Sequence, residues 1–318
     1  MSKQVQEAYI VATTRTPVGK APRGMFRNTR PEDLLGHVLN GVLAQAPGID
    51  QKQIGDVIVG CAMPEAEQGL NVARISLLLA GLPKEVPGLT INRFCSSGLQ
   101  AVAMAADRIR LGEADLMIAA GVESMSMIPM TGNKIAFNPA IFERDERYAI
   151  AYGMGMTAEK VAERWKVSRE AQDAFALQSH QRAVTGINAG EFKDEILPYT
   201  ITEHMPDLNG REIKVKTKSV SQDEGPRADT SLEVLAKLKT VFAQKGSVTA
   251  GNSSQTSDGA GAVLLCSEAA LKRYNLTPIG KFLGFSVAGV DPAIMGIGPK
   301  EAIPRVLRAA SNVLERHD

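Results

Sequence analysis

Cysteines, aromatic residues and long apolar runs are all scarce in this chain of 318 residues. It has three cysteines, and aromatic residues make up 5% of it. Three cysteines in a chain of this length do not form a disulfide framework, which indicates a reduced protein. No apolar run approaches the roughly 18 residues that span a bilayer, and residues 1–7 lack the apolar segment of a secretory leader. We therefore expect a cytoplasmic protein with no membrane partner.

An excess of one charge is missing as well. Lys and Arg number 36 and Asp and Glu number 35, which leaves a net charge of +1. Nucleic-acid-binding proteins usually show a basic excess, so we expect no nucleic-acid partner. At roughly 100–200 residues per domain, the length predicts about two domains.

Alternating strand and helix patterns organise residues 1–121, and the pattern resumes over residues 246–275. Short β-branched runs predict strands at 8–13, 56–61, 89–92, 115–121 and 262–266. Strands that alternate with helices are typical of an α/β unit with a parallel sheet. The helix predicted at 99–111 is apolar around most of its first turns, so we expect it to be buried.

The rest of the chain follows two other patterns. Residues 122–245 predict an inserted loop domain with helices at 157–165 and 168–189 and a hairpin that turns at Asn209-Gly210. Residues 276–318 predict a strand at 281–290 and a helix at 299–316. One strand and one helix cannot complete a sheet. We therefore expect the last segment to be the start of a second α/β unit that is incomplete in this chain.

Cys95 is the strongest candidate for a nucleophile. It follows the strand predicted at 89–92 and precedes the helix predicted at 99–111. Backbone amides at a helix N-terminus stabilise a thiolate, and the small residues that follow Cys95 leave room for a substrate carbonyl. A free cysteine is more often a buried structural residue, and that interpretation fits Cys61 and Cys266, which end apolar runs. For Cys95 both interpretations stay open at this point.

The segment around Cys95, Phe94-Cys95-Ser96-Ser97-Gly98-Leu99, resembles the acylated-cysteine motif of the thiolase family. Six further segments are similar to thiolase motifs and occur in the family's order: 15–19, 71–74, 121–126, 154–159, 249–254 with 258–260, and 295–299. The resemblance implies a thiolase-like fold of two similar α/β units with an inserted loop domain. It also implies acyl transfer in fatty acid β-oxidation, that is, thiolysis of 3-ketoacyl-CoA or the reverse Claisen condensation.

The resemblance also assigns roles to particular residues. Cys95 would be acylated, and its backbone N–H would contribute to an oxyanion hole. Ser254 would contact the pantetheine arm of CoA, Met154 and Met295 would line the pantetheine tunnel, and Arg227 would lie near the CoA nucleotide. An exposed arginine is normally only solvated, and loops rich in Gly, Ser and Asn are usually only turns. The family implies CoA and acyl-CoA as substrates, no tightly bound cofactor, no metal, and a homodimer or homotetramer.

Two departures from the family pattern bear on activity. Short-chain biosynthetic thiolases carry a histidine where this chain has Gly153, which favours a broad 3-ketoacyl-CoA thiolase. The Gly-His-Pro, second Cys-x-Gly and Asn-Glu-Ala-Phe motifs of the family are absent from the sequence. His37, His180, His204 and His317 are therefore interpreted as structural or surface residues, and we expect impaired turnover in what looks like a thiolase without its C-terminal end.

Two alternatives remain. The first is a non-catalytic CoA- or acyl-CoA-binding protein on the same scaffold, which the missing base favours. The second is a decarboxylating ketoacyl synthase, which also has a cysteine between a strand and a helix. The segments 123–126 and 251–262 favour a thiolase over a synthase.

Overall fold

The computed structural model describes residues 5–206 and 213–314, which form two compact units. Unit 1 comprises Met1–Asn133, Glu191–Gly225 and Thr256–Phe282, and unit 2 comprises Lys134–Gly190, Pro226–Gln255 and Leu283–Asp318. The hairpin segment thus belongs to unit 1, whereas the sequence grouped it with the inserted loop domain. Across both described stretches, no helix combines the length and the apolar character needed to cross a bilayer.

The helices and strands follow the predicted order. The strands are β1 (Ala8–Arg15), β2 (Gly19–Lys20), β3 (Ile54–Gly60), β4 (Gly88–Ile91), β5 (Leu116–Ser124), β6 (Tyr199–Pro206), β7 (Ile213–Val220), β8 (Ser257–Ser267) and β9 (Gly280–Lys281). The helices are α1 (Pro31–Ala44), α2 (Val72–Leu79), α3 (Ser97–Arg110), α4 (Met154–Trp165), α5 (Arg169–Ala189), α6 (Leu232–Ala236), α7 (Glu268–Tyr274) and α8 (Gly298–Leu314).

Unit 1 is built on a sheet of seven strands within the described residues, in the order β4-β3-β5-β8-β1-β9, with β2 beside β8. β4 and β5 run parallel to β3, but β8 runs antiparallel to both β5 and β1. The strands predicted at 8–13, 56–61, 89–92, 115–121 and 262–266 are confirmed in place. The predicted parallel pairing holds for β3, β4 and β5 but fails at β8, so the sheet is mixed. Hydrophobic runs mark where a strand lies, and they do not encode its direction.

Two apolar cores cover opposite faces of this sheet. Alternate residues of β5 point to opposite faces, and accordingly Ile118 joins the core under α1 and α2 while Ala119 joins the core under α3. α3 was predicted to be buried, which is only half right. Its alanine face is buried, but Leu99 is 62% exposed.

The hairpin of β6 and β7 is antiparallel, and its register runs from Tyr199 opposite Val220 to Pro206 opposite Ile213. The turn predicted at Asn209-Gly210 lies outside the described residues.

The strand predicted at 281–290 is wrong. Only Gly280 and Lys281 pair with β1, where they lie opposite Ile10 and Tyr9. The Phe282 N–H still donates to the Ala8 carbonyl of β1 at 2.9 Å. A strand needs a neighbour for its backbone hydrogen bonds, and within the described residues no strand pairs with 283–291. The helix predicted at 299–316 is confirmed as α8, and residues 315–316 lie outside the described part. The turn predicted at 295–299 begins within a 3₁₀ helix, Pro292–Ile297.

Candidate active site

Cys95 lies in the turn between β4 and α3, and its side chain is exposed. Cys61 and Cys266 are buried in unit 1, as the sequence indicated. Burial raises the pKa of each of these two thiols to about 12, so neither forms a thiolate near neutral pH. Of the three cysteines, Cys95 is therefore the one whose thiol is accessible from solvent.

The turn around Cys95 has an unusual backbone, with Phe94 in the left-handed region at φ +47°. Side chains of the turn hold this conformation. The Phe94 N–H donates to Asn92 Oδ1 at 2.7 Å, and the Ser97 hydroxyl donates to the Phe94 carbonyl at 2.6 Å. The Ser97 oxygen also accepts from the Arg93 N–H at 2.8 Å. These bonds fix the backbone on both sides of the sulfur.

α3 begins unusually close to the sheet, and Gly60 at the end of β3 makes this possible. A Cβ on Gly60 would lie 2.4 Å from the carbonyl carbon of Ser97 and 2.5 Å from the Gly98 nitrogen. Such a contact is more than 1 Å too short for non-bonded atoms. A glycine is therefore required at Gly60 for the helix that follows Cys95 to start where it does.

A buried polar network supports the same edge of the sheet. Glu123 accepts from the Ala62 N–H at 2.7 Å and from the Gln68 side-chain amide at 2.7 Å. Gln68 is fully buried, and its Oε1 accepts from the Ser124 N–H. The Asn92 amide donates to the Ala62 carbonyl at 3.0 Å, which connects this network to the turn of Cys95. The sequence reasoning assigned no role to Asn92 or Gln68. An asparagine two residues before a turn residue is the one local signal that could have found Asn92.

Unit 2 contains the residues expected at the pantetheine tunnel. Met154 starts α4, and Met295 lies in the 3₁₀ helix Pro292–Ile297, which packs against α4. Met154 is 42% exposed and Met295 41% exposed. Both thioethers therefore lie on neighbouring elements with surface free for a ligand.

Ser254 ends a loop whose other polar side chains are used internally. Asn252 donates to Asp173 at 2.9 Å and accepts from the Thr249 N–H at 2.7 Å, and the Ser253 hydroxyl donates to the Thr249 carbonyl. Ser254 is exposed, and its hydroxyl makes a 3.2 Å bond to the next residue's carbonyl. The loop is thus a built structure that presents Ser254 to solvent.

Arg227 lies beside a cavity of about 220 Å³ that Val184 and Thr185 also line. Its backbone N–H donates to His180 Nδ1 at 3.1 Å. Its guanidinium forms two 3.1 Å bonds to Asp229, which raise the pKa of Arg227 and lower that of Asp229. An anionic ligand would have to compete with Asp229 for this side chain.

Three histidines, His37, His180 and His204, lie within the described residues. His37 is on α1, on the sheet face opposite α3, and His180 already accepts from Arg227. His204 is on β6, and His317 lies outside the described residues. Within the part of the chain that is described, no three His, Cys, Asp or Glu side chains group as metal ligands.

The structure thus places the sequence-predicted site residues in both units. Cys95 belongs to unit 1, and Met154, Arg227, Ser254 and Met295 belong to unit 2.

Comparison with known proteins gives a consistent set of matches. The family model "Thiolase, N-terminal domain" matches residues 8–269. A 3-ketoacyl-CoA thiolase of Bacillus subtilis is 49% identical over 313 residues, which are 98% of this chain and 78% of that protein. The peroxisomal 3-ketoacyl-CoA thiolase A of Mus musculus is 46% identical over 96% of this chain and 70% of its own length.

Solved structures agree. A Bacillus anthracis acetyl-CoA acetyltransferase superposes with a TM-score of 0.83 at 37% identity, covering 98% of this chain and 78% of that one. A human mitochondrial 3-ketoacyl-CoA thiolase gives a TM-score of 0.82 at 35% identity, with coverages of 97% and 77%.

Proposed function

Since the chain belongs to the thiolase family, we propose that Cys95 is the nucleophile of a thiolase-type acyl transfer between 3-ketoacyl-CoA and CoA. The observation that carries the proposal is the contrast among the three cysteines. Cys95 is exposed in the turn before α3, while Cys61 and Cys266 are buried.

In the thiolysis direction, the Cys95 thiolate adds to the 3-keto carbonyl carbon of the substrate. The bond between C2 and C3 breaks, acetyl-CoA departs after C2 takes up a proton, and the shortened acyl group remains as a thioester on Cys95. CoA then attacks this thioester, releases acyl-CoA and regenerates the thiolate. The backbone N–H of Cys95, in the turn before α3, would help to stabilise the oxyanion that forms in each addition.

The CoA contacts are part of the proposal. Met154 and Met295 would contact the pantetheine arm, Ser254 would hydrogen-bond to it, and Arg227 would pair with a phosphate of the nucleotide. The exposure of all four residues supports these roles. Gly153 supports a broad acyl range, because a Cβ there would meet nothing within 4 Å.

A second function, binding of CoA or acyl-CoA without turnover, is favoured by one sequence observation. The 318 residues contain neither a Gly-His-Pro segment nor a second Cys-x-Gly segment. Proton transfer by one acid/base group contributes typically ~10²–10⁴-fold to a rate. We therefore propose that this chain acylates Cys95 slowly and gives acetoacetyl-CoA thiolysis near background.

We also propose that the protein is a homodimer or a homotetramer, which light scattering would test, and that it is located in the cytoplasm, which cell fractionation would test.

Limited alkylation tests the assignment of Cys95. Substoichiometric iodoacetamide at neutral pH should label Cys95 ahead of the two buried thiols, and all three should react in urea. In a separate experiment, incubation of unlabelled protein with acetyl-CoA should add one acetyl group to the native chain and none to the Cys95→Ser variant. Native labelling of Cys61 or Cys266 first, or equal acetylation of the serine variant, would overturn the proposal.

The nucleotide contact is tested with a matched pair of arginines. Arg227→Ala should weaken CoA binding, measured by calorimetry, because a charge-assisted bond to a phosphate is lost. Arg144 is the control, since it is also exposed and also pairs with a carboxylate two residues away. Equal CoA affinity in the two variants would remove Arg227 from the site.

A further inference from the structure

We propose that Asn92 is a positioning residue for Cys95, which acts by holding Phe94 in its left-handed conformation and by tying the turn to the end of β3. The inference deepens the proposed function and rests on it for the role of Cys95. The argument itself uses only hydrogen bonds and backbone geometry of unit 1.

Phe94 occupies a conformation that its side chain disfavours. Its φ is +47°, and the Cβ of a non-glycine residue makes this region less populated by about five- to thirtyfold. The ring does not compensate through packing, because Phe94 is 63% exposed. The conformation therefore depends on hydrogen bonds, and the Phe94 N–H donates to Asn92 Oδ1 at 2.7 Å.

Asn92 is itself fixed at the other end of its side chain. Its Nδ2 donates to the Ala62 carbonyl at 3.0 Å. The N–H of Ala62 donates in turn to Glu123 at 2.7 Å, and Glu123 is held by buried Gln68. One side-chain amide thus links the left-handed residue to a polar network formed by the segment that follows β3 and by the end of β5.

The link determines where the sulfur of Cys95 lies. Phe94 directly precedes Cys95, and α3 is held in place by its packing against β3 and β5. A change of φ at Phe94 therefore has to be compensated by the backbone torsions of Cys95 and Ser96. Relaxation to negative φ would move the sulfur relative to the first turn of α3, whose backbone N–H groups favour the thiolate. Asn92 therefore controls the reactivity of Cys95 without touching substrate.

The test is the rate constant for iodoacetamide alkylation of Cys95, measured by mass mapping at fixed pH, in Asn92→Ala, Phe94→Gly and the double variant. Asn92→Ala removes both bonds of this side chain. Loss of the bond that holds the Phe94 N–H should lower the alkylation rate about three- to tenfold. Glycine adopts positive φ without cost, so in the Phe94→Gly background the same change should lower the rate less than about twofold. Asn138→Ala is the control, because exposed Asn138 makes the same bond to an N–H two residues on. It should leave the rate unchanged.

Alkylation needs no acyl-CoA, so this result is independent of whether the chain turns over substrate. A rate for Asn92→Ala within twofold of the parent overturns the proposal. An equal loss of alkylation rate on Asn92→Ala in the parent and in the Phe94→Gly background overturns it too, because a merely structural role would not be rescued by glycine.

If the Asn92→Ala variant does not fold, Asn92→Ser replaces it, since serine keeps an acceptor for the Phe94 N–H and loses the donor to Ala62. Its smaller loss should likewise vanish in the Phe94→Gly background, and a persistent loss refutes the mechanism.

Discussion

Replacing Gly60 with alanine should disturb both the stability of unit 1 and the reactivity of Cys95. The added Cβ would lie 2.4 Å from the Ser97 carbonyl carbon and 2.5 Å from the Gly98 nitrogen. Both atoms are backbone, so the first turn of α3 must move by about 1 Å to restore an ordinary contact. Overpacking of this kind typically lowers the free energy of unfolding by about 1–3 kcal/mol.

Gly121 provides a matched control for this change. It lies opposite Gly60 in the neighbouring strand β5, and a Cβ there would lie 3.6 Å from Gly98 Cα, an ordinary contact. Gly121→Ala should therefore change the free energy of unfolding by less than about 1 kcal/mol.

Urea unfolding and alkylation kinetics together check the reasoning. We expect a lower urea midpoint and slower alkylation of Cys95 in Gly60→Ala, because the displaced helix start no longer faces the sulfur in the same way. Equal stability of the Gly60→Ala and Gly121→Ala variants would refute the close approach of α3 to β3. Lower stability with unchanged alkylation would show that the helix start does not control the thiol.

Three other predictions concern single side chains. Glu159 is 9% exposed and accepts from the backbone N–H groups of residues 247–248, so Glu159→Ala should lower the free energy of unfolding by about 2–4 kcal/mol in urea titrations. Burial lowers the pKa of His37, so the unfolded chain takes up its proton first as the pH falls below about 6.5. His37→Gln should therefore flatten the loss of stability below that pH, and unchanged slopes would count against the burial of the imidazole. Asp223 accepts two bonds from Arg15 at 2.7 and 2.9 Å, and Asp223→Ala should lower the thermal midpoint more than Asp229→Ala, whose ion pair is exposed.

The position of Cys95 could be predicted because local patterns bracket it. An apolar run ends just before it and a helical pattern starts just after it, and both patterns are properties of neighbouring residues. The burial of Cys61 and Cys266 followed from the apolar runs that they end, whereas the sequence left the exposure of Cys95 open.

The hydrogen-bond network that holds the turn of Cys95 could not be predicted in the same way. The contact of Asn92 with Ala62 joins residues 30 positions apart, and the contact of Glu123 with Gln68 joins residues 55 apart. Glutamine is usually exposed, so nothing local marks Gln68 as fully buried. The direction of β8, and the absence of a long strand between Lys281 and the last described residue, likewise depend on which strands lie alongside.

The place of β8 in the sheet sets the order in which the chain can fold during synthesis. β8 lies between β5 and β1 and pairs with both, yet it is residues 257–267 of the chain. The ribosome therefore releases β1 long before its main partner exists. At a translation rate of about 5–20 residues per second, the interval between the synthesis of β1 and that of β8 is on the order of 12 to 50 s, and β1 is not paired with β8 during that time. During that interval the nascent chain has β3, β4 and β5 to pair among themselves, but unit 1 cannot close. Nascent-chain aggregation is therefore a greater hazard here than in a sheet whose strands are paired in the order of synthesis.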